Sequence, residues 1–293
     1  TLKINIYINT LIIYLINKYY YYIINYNIQD NIFIKFITNL GFKNSINITN
    51  EHIIKFWVGL IDGDGSIQVN HWRKLNLQYR LIIKLKNTKS NYNMLKLFIP
   101  LIGGNVKLVS NNNFVIWVVN NKEDIIKIIK IFDKYPLLTS NKRAQLLFMK
   151  KNLLKQDINW YLNNRNNKYN NNIIIQKEIL NDLTNINNNY FNSWLSGFIE
   201  AEGCFSIRNN YNIKSFSIGQ NNDLYLIEYI KNKFNADNKI QLKKNNFYLI
   251  EIYKLENLLL IINHCNNYPL LGEKLISFLK FNKYVSCSHT TIK

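Results

Sequence analysis

The sequence predicts an α+β protein built from two pseudo-symmetric αββαββα halves. Each half is expected to carry a four-stranded, antiparallel, saddle-like sheet backed by helices, and the halves to join at one helix pair. Three observations predict this. The stretch Trp57-Val58-Gly59-Leu60-Ile61-Asp62-Gly63-Asp64-Gly65 recurs about 138 residues later as Leu195-Ser196-Gly197-Phe198-Ile199-Glu200-Ala201-Glu202-Gly203, the mark of an internal duplication. Each copy runs into a strand-like segment, Ser66-Ile67-Gln68-Val69-Asn70 and Cys204-Phe205-Ser206-Ile207-Arg208. Tyr135-Pro136-Leu137-Leu138 also recurs, as Tyr268-Pro269-Leu270-Leu271.

Residues 1–50 read as an N-terminal extension without a motif. The apolar run from Leu11 to Ile16 is bounded by Asn9, Asn17 and Lys18 and is too short and polar for a membrane span. It lacks a secretory cleavage pattern and the Arg and Ser of a transit peptide. A packed extra helix or a poorly ordered leader is expected, without stable membrane insertion. The chain opens on Thr1 rather than Met, which suits a leader cut from a longer translation product, as well as a trimmed chain.

Residues 51–162 form the predicted first half. Ile53, Ile54, Trp57, Leu60 and Ile61 fall at helical spacing, as do Trp194, Leu195, Phe198 and Ile199 in the second copy. Gly65 and Gly203 are expected to close these helices in the left-handed conformation. Gly59 and Gly63 lie four apart on one face, as do Gly197 and Ala201. Small residues at that spacing let two helix backbones approach closely, by analogy with membrane helix pairs.

The period then changes to two. Asn76, Gln78, Arg80, Ile82, Lys84 and Lys86 alternate with Leu75, Leu77, Tyr79, Leu81, Ile83 and Leu85, giving a strand with one apolar and one basic face. A helix over 91–102 stops at Gly103-Gly104, and a hairpin over 105–109 and 114–119 turns through Asn111-Asn112-Asn113. A helix over 123–132 follows, and after the Pro-Leu-Leu turn a long helix over 141–162. Residues 163–190 are Asn-rich and read as a linker, with a helix over 173–183. The second half, 191–293, repeats the order: motif helix, hairpin 205–220, helix 223–234, hairpin 239–253, helix 255–264.

A net charge of +19 and a pI near 9.6 favour a polyanionic partner. The three cysteines, Cys204, Cys265 and Cys287, form neither a C-x-x-C pair nor a ligand cluster with histidine, which excludes a disulfide scaffold and suits a reduced compartment. Asn, Ile, Lys and Tyr are over-used. Their codons are AT-rich, a bias like that of fungal mitochondrial DNA, so a mitochondrial protein is expected.

Asp64 and Glu202 are the chemically unusual residues. A helix C-terminus disfavours negative charge, and two such helices packed together would make the carboxylates repel. The pair needs protons or a hard cation, and Mg²⁺, which keeps waters and bridges phosphates, suits such oxygen ligands. Metal held by paired carboxylates can cut a phosphodiester. A polar sheet face can enter the DNA major groove. The candidates are Gln68, Asn70, Asn76, Gln78, Arg80, Lys84, Lys86 and Lys107 on the first sheet. On the second they are Ser206, Arg208, Lys214, Ser217, Lys239, Gln241 and Lys243.

Residues 51–285, with the doubled motif, resemble the LAGLIDADG homing endonucleases in their two-motif, single-chain form. The resemblance implies that the last acid of each motif, Asp64 and Glu202, binds metal, with the preceding carbonyls of Gly63 and Ala201. It implies structural or helix-end roles for Asp62 and Glu200, and water-ordering polar residues at Asn87 and Gln220. Basic residues after the Pro-Leu-Leu turns match Lys142 and Lys274. The turn is one residue longer before Lys142, which leaves Arg143 as the alternative. Departures inside the motifs are mild: Trp57, Ser196 and Glu202. The implied protein is a monomeric endonuclease with pseudo-twofold symmetry that uses Mg²⁺, with Mn²⁺ as substitute, to hydrolyse both strands of a long asymmetric double-stranded DNA site. The alternative is a maturase, an RNA-binding cofactor for splicing its own group I intron, alone or alongside cleavage. A non-catalytic DNA-binding relative is a third reading, against which the intact acids count.

Overall fold

A computed structural model of the chain describes residues 48–208 and 213–290, with side chains to residue 286. The expectations for the first 47 residues and for Cys287 lie outside what is described. Helix α1 (Asn50–Asp64) starts at Thr49, whose hydroxyl accepts the His52 N–H at 3.1 Å. Helix α7 (Asn188–Glu202) starts at Asn187, which accepts from Asn189 and Tyr190 N–H groups. Such caps satisfy amides that a helix start leaves unpaired.

The two helices form the centre of the molecule. Phe56, Trp57, Val58, Leu60, Ile61, Trp194, Leu195, Phe198 and Ile199 are wholly buried. A Cβ on Gly59 would lie 1.9 Å from the Trp194 carbonyl oxygen, and one on Gly197 1.8 Å from that of Phe56. The backbones touch at these glycines, as the spacing predicts. Gly65 and Gly203 differ from expectation: both sit at φ −73° with extended ψ. Glycine is needed there for space, because a Cβ would meet Ile61 O at 2.5 Å or Ile199 O at 2.7 Å.

The first sheet contains β1 (Gly65–Trp72), β2 (Asn76–Lys86), β3 (Asn105–Val109) and β4 (Phe114–Val119), in the order β1-β2-β4-β3. The second contains β5 (Cys204–Arg208), β6 (Ile213–Asn221), β7 (Gln241–Lys243) and β8 (Phe247–Ile252), in the order β5-β6-β8-β7. Both are antiparallel. The β1–β2 turn places Arg73 and Lys74 at φ 50° and 57°, as a tight hairpin turn requires. Tyr79, Leu81, Ile83, Val115, Trp117 and Val119 point inward from the first sheet, which packs on α2 (Lys89–Ile102), α3 (Lys122–Lys134) and α4 (Ser140–Lys155), and Tyr79 donates its hydroxyl to Asn152 O of α4 at 3.1 Å. Trp57 packs edge-on to Trp117 and stacks on Phe132. In the second half Phe216, Ile218, Ile250 and Ile252 point inward, among α8 (Leu224–Lys233), α9 (Leu255–Asn267) and α10 (Glu273–Thr290).

Three further differences have local causes. The long helix predicted over 141–162 is two: α4 (Ser140–Lys155) ends where Gln156 turns left-handed at φ 50°, and Asp157 caps α5 (Ile158–Asn164) by accepting from Asn159 and Trp160 N–H groups. The Asn-rich linker is a packed element: α6 (Asn172–Thr184) buries Ile175, Ile179 and Leu183, spaced four apart on one face. The hairpin predicted over 239–253 has a short first strand, and Lys239 precedes it.

Candidate active site

The C-terminal ends of α1 and α7 meet. A Cβ on Gly63 would lie 2.3 Å from the Ala201 Cβ and 3.4 Å from Glu202 Oε1, so Glu202 stands against the residue preceding Asp64. Asp64 is exposed and Glu202 half-buried. Although part of Asp64 is open to solvent, the protein crowded around the helix end desolvates its carboxyl and pushes it up to about 6, against the pull of Lys142 and Lys274. Burial pushes Glu202 up to about 7, the Asp64 charge adds to the rise, and the same two lysines oppose it. Both acids therefore favour a proton or a cation. The described residues hold no cluster of three or more His, Cys, Asp or Glu suited to a metal, so an all-protein cage is not formed. Two carboxylates beside helix-end carbonyls do fit Mg²⁺, which retains waters and takes few protein ligands. The carbonyls of Gly63 and Ala201 belong to the last turns of their helices, where no intrahelical partner exists.

Lys142 is the third residue of α4, and Lys274 the second residue of α10. Their charges act on both acids, and burial lowers Lys142 from the usual lysine range. Arg143, the alternative, is paired with Asp182 of α6 at 2.6 Å. The first acids of the motifs hold the turns that deliver these lysines. Asp62, wholly buried, accepts from Leu138 N at 2.8 Å, Thr139 N at 3.1 Å, Thr139 Oγ1 at 2.7 Å and Trp194 Nε1 at 2.7 Å. Glu200 accepts from Gly272 N at 3.1 Å and Lys274 N at 2.8 Å. Burial raises Asp62 to about 6 and Glu200 to about 7, with these hydrogen bonds opposing the rise.

Asn87 and Gln220 are not equivalent positions, as the spacing to the next helix suggests they are. The registers match Ile82 with Ser217, and hence Leu85 with Gln220 and Asn87 with Asn222. The Asn87 and Asn222 amides donate to Asn113 O and Asn246 O in corresponding turns. The Asn87 side chain donates to Asn112 O at 2.7 Å, and Gln220 pairs with Tyr248 in the ladder.

On the first sheet, register places Gln68 opposite Arg80, Asn70 opposite Gln78, and Lys84 and Lys107 opposite Ile116. Together with Asn76 and Lys86 they share the face turned away from Tyr79, Leu81 and Ile83. On the second, Ser206 lies opposite Ser215, Ser217 opposite Glu251, Gln241 opposite Leu249 and Lys243 opposite Phe247. Lys214 departs from the prediction. It lies opposite Ile207, on the face of Phe216 and Ile218, because strand residues alternate and Ser217 is an odd number of steps away. Missed on the outward face is Glu251, which accepts from Ser215 Oγ at 2.8 Å and pairs with Arg208 at 3.5 Å. An isolated acid in a strand carries no sequence signal.

A family profile described as LAGLIDADG endonuclease matches residues 57–153 and 195–285. The chain is 49% identical over 280 residues to a probable intron-encoded endonuclease aI3 of Debaryomyces hansenii, covering 84% of this chain and 41% of that protein's length. It is 48% identical over 241 residues to the like-named protein of Dictyostelium citrinum, covering 81% of this chain and 97% of that one. Its fold is similar to that of the I-LtrWI LAGLIDADG homing endonuclease bound to target DNA, with a TM-score of 0.62, 23% identity, and coverage of 83% of this chain and 92% of that one.

Proposed function

The chain belongs to the LAGLIDADG endonuclease family, and from that premise we propose that it is a site-specific endonuclease cutting both strands of a long, asymmetric double-stranded DNA site. The observation that carries the reading is the meeting of Asp64 and Glu202 at the helix ends that lead into β1 and β5, with the charges of Lys142 and Lys274 acting on both acids. Asp64, Glu202 and the carbonyls of Gly63 and Ala201 are the groups that would hold Mg²⁺, or Mn²⁺ in its place. When bound, the ion supplies positive charge against the phosphate and acidifies water. Lys142 and Lys274 face the negative charge that develops on the phosphate as water attacks, which is electrostatic stabilisation by preplaced groups. Asn87 and Gln220 remain candidates for ordering water through their side-chain amides.

The outward-facing side chains of the sheets are proposed to read the major groove, with Arg80, Lys84, Lys86 and Lys107 contributing most of the phosphate attraction. The unlike halves imply an asymmetric site and a monomer with pseudo-twofold symmetry. An origin in a mitochondrial intron belongs to the same proposal, supported by the codon bias and by the intron-encoded names of the relatives. No helix among the described residues is long and apolar enough to cross a membrane.

The test is to incubate the protein with Mg²⁺ and DNA carrying the intronless junction of its host gene. Cleavage is expected, and Asp64→Asn or Glu202→Gln is expected to abolish it while sparing binding. Full cleavage by either variant would refute the assignment of these acids. Tight binding to the intron RNA, without cleavage of any junction in Mg²⁺ or Mn²⁺, would favour the maturase instead.

A further inference from the structure

Both lysine-bearing helices have an unusual start. Thr139 occupies the capping position of α4 but makes no side-chain cap bond, because its hydroxyl is turned to Asp62 at 2.7 Å. The amide at the start of α4 is met from the other half of the molecule. Ser140 donates its N–H to Asp223 Oδ2 at 3.0 Å and its hydroxyl to Asp223 Oδ1 at 2.5 Å. Asp223 itself stands at the capping position of α8, yet gives no side-chain bond to its own helix. Helix α10 is met the same way in reverse. Its first residue, Glu273, donates its N–H to Asn91 Oδ1 at 3.1 Å. Asn91 lies in the first turn of α2, which Thr88 already caps.

Other bonds cross between the halves beside these. Tyr190 donates to Pro136 O at 2.5 Å and Tyr225 to Leu138 O at 2.9 Å, both holding the turn before α4. His52 Nε2 reaches Pro269 O at 3.1 Å, in the turn before α10. His52 and Tyr190 are corresponding residues of the two motif helices, so these two bonds follow the pseudo-twofold symmetry, whereas Asp223 corresponds by register to Thr88 and Asn91 lies three residues further on.

We infer that Asp223 and Asn91 are positioning residues that cap, across the pseudo-twofold axis, the lysine-bearing helix of the opposite half. Asp223 fixes Lys142, two residues beyond Ser140. Asn91 fixes Lys274, one residue beyond Glu273. Each half thereby sets the geometry of the other's lysine, and the two strand cuts depend on different caps. The inference rests on the roles proposed above for Lys142 and Lys274.

The experiment uses the full chain with Mg²⁺ and a supercoiled plasmid carrying the target site, strand cleavage being followed separately by end-labelling. Lys142→Ala and Lys274→Ala serve as references and are each expected to slow one strand more than the other, in opposite senses. Asp223→Ala is expected to accumulate nicked circles cut on the same strand that Lys142→Ala spares, the other strand slowing roughly tenfold or more, as small displacements of catalytic groups do. Asn91→Ala is expected to match Lys274→Ala. Asp223→Asn keeps one acceptor for Ser140 and should restore part of the lost strand cleavage, and it replaces Asp223→Ala if that variant fails to fold. Equal slowing of both strands in the Asp223 variants, beside strand-selective lysine variants, would overturn the inference. Undiminished cleavage by both lysine variants would instead remove the lysine roles, and an inert wild type would remove the endonuclease reading, each taking the inference with it.

Discussion

The two halves agree where they meet and differ where they face outward. Gly59 and Gly197 make the same backbone contact, 1.9 and 1.8 Å from the opposing carbonyl if given a Cβ. Asp62 and Glu200 each hold the turn before a lysine-bearing helix. The outward sheet faces diverge. The first carries Arg80, Lys84, Lys86 and Lys107 on strands of up to 11 residues. The second has a three-residue β7, and its Arg208 is engaged by Glu251. Contacts across the axis constrain each half through the other, so divergence is penalised there. A sheet face directed at a partner is constrained only by that partner.

The largest effect is expected at the glycine contact. Gly59→Leu or Gly197→Leu drives a side chain into the opposing backbone, and a destabilisation of about 3 kcal/mol or more follows. Thermal unfolding by circular dichroism should show both variants melting far below the wild type; a normal melting point in either would show that the helices can part cheaply. The next contrast is between the first acids. Asp62→Asn disturbs four accepted bonds and should cost about 2–3 kcal/mol in urea denaturation, whereas Glu200→Gln disturbs two fewer and should cost about 1 kcal/mol. The reverse order would mean that the Trp194 bond adds nothing.

Glu202 sharpens the comparison through pH. Its carboxyl is pushed up to about 7 from an ordinary 4.5. A raised folded pKa contributes stability that is complete below about 4.5 and is lost as pH rises through about 7. In metal-free buffer at pH 8, Glu202→Gln is therefore expected to melt about 2–4 °C above the wild type, with no gap at pH 4. His52 and His264, which burial lowers to about 4 and about 3, act with the opposite sign: their contribution is complete above 6.5 and fades as pH falls. They are common to both proteins and cancel. Equal melting at pH 8 would contradict the strain assigned to the acid pair.

The smallest effect separates the sheets. Arg80→Gln is expected to reduce the slope of log affinity for DNA against log salt by about 1. Arg208→Gln should reduce it by less, because Glu251 already partners that guanidinium. Equal reductions would place both arginines against phosphates.

Local spacing alone determined a good deal of this protein. The repeated motif, the two-residue alternation of β2 and the paired Pro-Leu-Leu turns carried the α+β class, the two halves, the glycine contact and the acids, because helix and strand periods are written in neighbouring residues. The hairpin bounds at 105–109 and 114–119 were legible for the same reason. Tertiary structure decided the rest. It turned the Asn-rich linker into a packed helix through Ile175, Ile179 and Leu183, and put Arg143 on Asp182 and Lys142 beside the acids. It set Lys214 on the inward face through the β5–β6 register, matched Asn87 with Asn222, and brought Asp223 to Ser140 and Asn91 to Glu273. Those last pairs lie 83 and 182 positions apart. A hydrogen bond across such a separation leaves no period in the sequence, since it depends on how two complete halves dock through a pair of glycines.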